Sequence, residues 1–203
     1  MMRVAGGSWR GREVLMPKSE AVRPTQSRVR EAVFDLLQQV VPGGRFLDLF
    51  AGSGAMGIEA LSRGAREAIF WECDRQVFAT LQKNLAAFGI DSACALRQDT
   101  FAALGLAEAE ARPGARRGEA SAGGARALQP FTVVFADPPY RWAQEHGLAG
   151  LGAALLARGF VTTGGFLVAE MAAKYTRPEE IPGWNLVRDR VYGTARIAVW
   201  QAQ

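Results

Sequence analysis

The chain has 203 residues, 49% of them hydrophobic, and a formal net charge of +4. That is enough for one well-buried core and requires no second domain. No run of eighteen apolar residues exists to form a transmembrane helix, and the opening residues lack the apolar stretch of a signal peptide, so a cytoplasmic protein is expected.

The first thirty residues are the most basic part of the chain. Arg3, Arg10, Arg12, Lys18, Arg23, Arg28 and Arg30 stand against Glu13 and Glu20 for a net +5, and the remainder nets −1. Arginines so clustered suit contact with nucleic-acid phosphates, although a solvated surface has the same composition. From Ser27 to Val40 apolar residues recur at helical spacing until Pro42-Gly43-Gly44. Residues 45–50 read as a buried strand, Gly52 to Gly57 as a tight turn opening a helix that stops near Gly64, and residues 68–73 as a second strand. Val77, Leu81, Leu85 and Phe88 mark a helix ended by Gly89, and residues 93–97 a weaker third strand.

Residues 107–128 contain no aromatic or β-branched side chain and are expected to form a mobile insertion. Regular structure is expected again as a strand over 131–136, a helix near 148–158 and a strand over 165–170. Two strands over 184–192 and 195–201, joined at Gly193-Thr194, suit an antiparallel hairpin. Alternating strands and helices imply an α/β fold, a mostly parallel sheet with helices on both faces. Cys73 and Cys94 form no C-x-x-C pair and read as free thiols, so no metal is expected, and the single His146 reads as a loop or helix-start residue.

Gly52-x-Gly54-x-x-Gly57 matches a dinucleotide fingerprint, with Glu72 at the end of the next strand to accept from a ribose. The pattern fits a nicotinamide dehydrogenase as well as a methyltransferase. Asp48, just before the turn, would repel a pyrophosphate and attract the ammonium of a methionyl group, which favours S-adenosylmethionine. Asp99 is placed to accept from an adenine amine, with Thr100 and Phe101 flanking the ring. Each acid alone reads as a strand-end or helix-capping carboxylate; the set favours a cofactor site.

Asp137-Pro138-Pro139-Tyr140 follows the apolar strand at 131–136, at the end of the sheet where ligands of open α/β folds bind. A nucleobase amine is a poor nucleophile because its lone pair is delocalised into the ring. The Asp137 carboxylate and the Pro138 carbonyl would accept its hydrogens and aim the lone pair at a sulfonium methyl, while the two prolines stiffen the turn. Tyr140 offers a stacking face and Trp142 extends it. The bland alternative is a rigid proline turn beneath an aromatic lid.

The chain resembles the bacterial 16S rRNA methyltransferases that modify N2 of guanine 966. The resemblance rests on Gly6-Gly7-x-Trp9-Arg10-Gly11-Arg12, Arg23-Pro24-Thr25, Arg28-Val29-Arg30-Glu31, residues 47–54, residues 59–64, Lys83-Asn84 and Asp137-Pro138-Pro139-Tyr140. It implies a seven-stranded class I (Rossmann-like) methyltransferase sheet, S-adenosylmethionine as methyl donor, and the assembled or assembling small ribosomal subunit as substrate, with a monomer acting without metal or membrane. It further implies that Phe50, Ala51, Gly52, Ser53, Gly54, Glu72, Cys73, Asp99, Thr100 and Phe101 join Asp48 and Asp137 around the cofactor, that Arg23-Pro24-Thr25 closes over it through Thr25, and that Arg10, Arg12, Arg23, Arg28 and Arg30 face RNA. The insertion at 107–128 departs from the family pattern. An adenine-N6 methyltransferase acting on RNA or DNA, a nicotinamide oxidoreductase, and a noncatalytic RNA-binding assembly factor remain as alternatives.

Overall fold

The computed structural model describes residues 2–17, 27–106, 129–139, 142–143, 146–174 and 178–203. The expected insertion at 107–128 lies outside them. The elements are β1 (Met2–Arg3), β2 (Glu13–Val14), α1 (Ser27–Leu36), β3 (Arg45–Asp48), α2 (Ala55–Ser62), β4 (Glu67–Trp71), α3 (Arg75–Phe88), β5 (Ala95–Leu96), α4 (Thr100–Leu104), β6 (Phe131–Ala136), α5 (Ala149–Ala157), β7 (Val161–Ala172), β8 (Trp184–Tyr192) and β9 (Ala195–Ala202). No described helix is long and apolar enough to cross a membrane.

Seven strands form one sheet in the order β5-β4-β3-β6-β7-β9-β8. The first five run parallel, while β9 pairs antiparallel with β7 and β8 antiparallel with β9. All four residues of β3 and the last four of β4 and of β6 are buried, as in a sheet with helices on both faces. Phe46, Phe70, Trp71, Phe131, Phe135 and Trp200 fill the centre. The chain leaves β3 towards β4 and β5, then returns to the other side of β3 with β6. The adjacent ends of β3 and β6 therefore form a switch point, the place where ligands of open α/β sheets bind.

Local chemistry explains the boundaries. Asp74 caps α3 by accepting from Gln76 N and Val77 N at 2.8 and 2.9 Å, and Gly89, with φ +69°, ends it in the left-handed region. Replacing Asp74 with Ala is expected to lower the unfolding free energy by about 1 kcal/mol in urea titrations; an unchanged midpoint would contradict the cap. The first helix stops at Leu36 and not at Val40, with turns carrying the chain to Val41 and Pro42. Pro42 disfavours helical backbone at the residue before it. Strand β7 is longer than the apolar run suggests, because its pairing jumps from Phe131–Val161 to Val133–Phe166 and Gly164 takes φ +73° in the bulge.

The N-terminal segment is not a free arm where it is described. Met2 and Arg3 pair with Val14 and Glu13 in a small ribbon, and Val4 and Val14 are buried. Glu59, fully buried on α2, accepts from Ala5 N at 2.8 Å and Gly6 N at 2.7 Å, and pairs with Arg63 at 2.9 Å. Arg30 corrects an expectation: it is 1% exposed, pairs with Glu59 at 3.4 Å and donates to Arg3 O at 2.6 Å, so it does not face RNA. It shares the inward face of α1 with Val29, Val33 and Phe34, and a count of charge is blind to that phase.

Candidate active site

Beyond β3 the backbone stays locked between its neighbours, with Leu49 N donating to Phe135 O at 3.0 Å and Ala51 N to Trp71 O at 2.9 Å. The chain then turns through Gly52, Ser53 and Gly54 into α2. A Cβ on Gly54, where φ is +83°, would lie 2.5 Å from Leu81 Cδ1, and one on Gly57 would lie 2.2 Å from Phe70 Cε1. The turn thus needs glycine both for its backbone and for close helix–strand packing. Glu72, at the end of β4, accepts from Gly52 N at 2.9 Å and from Asp74 N at 2.8 Å. Burial raises its pKa above the usual carboxylate value. Cys73, beside it, is half-buried, and Cys94 is buried.

Asp48 sits 1% exposed at the end of β3, and among the described residues its Oδ1 has no hydrogen-bond partner. Burial pushes its pKa from 3.8 to about 7; the backbone amides of Gly57 and Phe50 oppose the rise and the nearby Glu72 carboxylate adds to it. A buried carboxylate with one unmatched oxygen beside a glycine turn fits the ammonium end of S-adenosylmethionine.

Asp137 follows β6 directly, keeping part of its surface open while its carboxyl lies deep enough for desolvation to dominate. Its pKa is raised well above the usual carboxylate range, first by burial, then by the charges of Glu170 and Asp48. Glu170 is a site residue that the sequence motifs do not single out. Ala136 on β6 pairs with Ala169 on β7, so the next residues on each strand, Asp137 and Glu170, emerge side by side. Its signal in the sequence is a lone acid in an apolar run: Glu170 stands between Ala169 and Met171 within β7.

The remaining predicted residues are placed as follows. Pro138 is buried and Pro139 exposed, and the Pro139 carbonyl accepts from Ala143 N at 3.1 Å. Phe101 lies 5.4 Å from Phe50 and 4.2 Å, nearly parallel, from Trp142, whose other neighbour is His146 at 5.3 Å. Trp142, expected on the RNA side, thus covers the ring expected to flank adenine. Asp99 caps α4, accepting from Ala102 N at 3.0 Å. Thr100 is buried and its hydroxyl donates to Leu49 O, which ties the start of α4 to the loop after β3. Arg10, Arg12 and Arg28 are exposed, with Arg12 stacked over Phe88 at 4.2 Å and donating to Ala87 O at 2.6 Å. Arg23, Thr25 and Tyr140 lie outside the described residues.

Comparison with known proteins supplies what geometry alone does not. A family model described as "Conserved hypothetical protein 95" matches residues 2–201. "Ribosomal RNA small subunit methyltransferase D" of Escherichia coli is 34% identical over 202 residues, covering 100% of this chain and 90% of its own. The protein of the same name from Haemophilus influenzae is 30% identical, covering 98% and 93%. The solved structure of the Escherichia coli protein yhhF, assigned as a methyltransferase, superposes with a TM-score of 0.78 at 31% identity over 100% of this chain and 98% of that one. An RNA methyltransferase from Salinibacter ruber, at 18% identity and a TM-score of 0.56 over 89% and 94% of the two chains, shares the fold. A match along the whole chain and the carboxylates gathered at the switch point agree: the chain belongs to the ribosomal RNA small subunit methyltransferase D family and takes S-adenosylmethionine as its cofactor.

Proposed function

We propose that this chain transfers a methyl group from S-adenosylmethionine to the exocyclic N2 of a guanine, position 966, in the 16S rRNA of the small ribosomal subunit. The observation that carries the reading is Asp137, deep at the switch point beside Asp48 and Glu170, at the head of a proline-stiffened turn. The relatives' names support the coarser part, an rRNA methyltransferase. S-adenosylmethionine supplies an electrophilic methyl on a sulfonium. Asp48 holds the ammonium end, the glycine turn with Glu72 holds the middle, and Asp99 with Phe101 and Trp142 encloses the adenine. Asp137 and the Pro138 carbonyl accept the two amine hydrogens, and Tyr140 stacks on the base.

The bound cofactor would supply the methyl to N2, and Asp137 would take the proton that N2 gives up. Burial and neighbouring carboxylates raise its proton affinity, so Asp137 accepts a proton more readily than an exposed aspartate. The same negative field favours a cationic cofactor over a pyrophosphate. Guanine N2 lies on the shallow-groove edge of paired RNA, so the base must be unpaired or flipped outward to reach the pocket. In this reading the enzyme is a cytoplasmic monomer acting on the assembled or assembling subunit.

The test is transfer of a labelled methyl to small subunits lacking the modification, followed by nucleoside identification. N2-methylguanosine is expected. N6-methyladenosine would keep the chemistry and overturn the base; RNA binding without any transfer would favour an assembly factor. Arg10 and Arg28 pair with RNA phosphates in this reading. Replacing both with Ala is expected to reduce the slope of log affinity against log salt by roughly 0.7 for each phosphate left unpaired, with S-adenosylhomocysteine binding unchanged. An unchanged salt slope would remove them from the RNA surface.

A further inference from the structure

We propose that Asn84 is a positioning residue that fixes the cofactor turn and the N-terminal segment in one relation, so that cofactor and RNA binding depend on the same side-chain amide. Asn84 is 1% exposed on α3. Its Nδ2 donates to Ser53 O at 2.8 Å and to Leu15 O at 2.9 Å, and its Oδ1 accepts from Leu15 N at 2.9 Å. Both donors of the amide are used, and Leu15 is held through both of its backbone polar groups, as a strand would hold it. The bond to Ser53 fixes the peptide between Gly52 and Gly54, two residues whose backbones have little intrinsic preference.

Leu15 is itself 52% exposed, so beyond the buried Val14 the chain is held by the Asn84 amide. The segment's other buried polar attachments, Ala5 and Gly6 to Glu59 and Trp9 N to Ser62 Oγ at 2.9 Å, lie further towards the start of the chain. Arg10 and Arg12 lie between those attachments and Leu15. Among the described residues, Asn84 is the side chain bonded to this segment that also bonds the glycine turn. Aspartate has the shape of asparagine but no donors, and would set a carboxylate against the carbonyls of Ser53 and Leu15.

The RNA half of this inference rests on the proposed function; the cofactor half does not. Binding constants are therefore the readout: S-adenosylhomocysteine by calorimetry and a 16S rRNA fragment by filter retention, for Asn84→Asp, Asn84→Ala and the control Val77→Ala. Val77 is 2% exposed on the same helix and touches neither partner of Asn84 through a polar group. Both Asn84 variants are expected to weaken both ligands, by roughly tenfold for the cofactor product. Val77→Ala, brought to comparable thermal stability, is expected to weaken neither. Unchanged affinity in the isosteric aspartate variant, loss of one ligand alone, or equal loss in Val77→Ala would each overturn the proposal. Should Asn84→Asp fail to fold, Asn84→Ala below its melting temperature decides alone. Loss of both ligands without N2-methylguanosine formation in the native enzyme would leave this proposal standing and the assigned base overturned.

Discussion

Asp137→Asn is expected to lower kcat by about 10²–10⁴-fold, the range a positioned acid–base group contributes. Asparagine keeps the size of the side chain and one acceptor oxygen, but it cannot hold a proton and it turns an NH₂ group towards the hydrogens of the incoming amine. The loss is not one of folding. The native pKa of Asp137 is raised, so its contribution to stability is present at low pH and lost as pH rises through the folded value; a neutral amide removes that loss. The variant should therefore melt at or above the native temperature at pH 8 while turning over far more slowly. Single-turnover rates beside a thermal scan check both halves, and a stable variant with native kcat would exclude Asp137 from proton transfer.

Asp48 carries the second large effect, and it appears as pH dependence. In the free protein its pKa stands at about 7 against an ordinary 3.8. An ammonium favours the ionised form, so ligand binding below pH 7 must expel a proton, and affinity for S-adenosylhomocysteine should weaken by about tenfold per pH unit below 7. Above pH 8 it should level off. The stability of the free protein runs the other way, because a raised carboxylate pKa costs stability as pH rises from about 4 to 7. Asp48→Asn should bind weakly and show neither trend. Calorimetry from pH 5.5 to 8.5 measures the slope; a flat native profile would mean that Asp48 does not meet the ammonium.

The sequence is most legible where one residue's surroundings are set by its own strand. Asp48, Glu72 and Asp137 each close an apolar run, and a parallel sheet sends all such ends to one side, so their gathering follows from alternation alone. Glu170 lies inside β7, and its importance depends on β7 lying next to β6, an order that is a property of the sheet. Arg30 misleads because charge counted along the chain ignores position around the helix. The ribbon of β1 and β2 is too short to leave a periodic signature, and its partners Glu59 and Asn84 lie more than fifty residues away.

The switch point also orders the birth of the fold. Strands β3, β4 and β5 leave the ribosome early, but β3 is bordered on its other side by β6, which contributes Thr132 to Arg45 N across 87 residues of sequence. Until β6 has been synthesised, the nascent chain holds a partial sheet in which β3 is an open edge, with peptide groups exposed that the finished protein buries. Asp137 arrives with β6, so the strand that completes the sheet also delivers the carboxylate at its mouth.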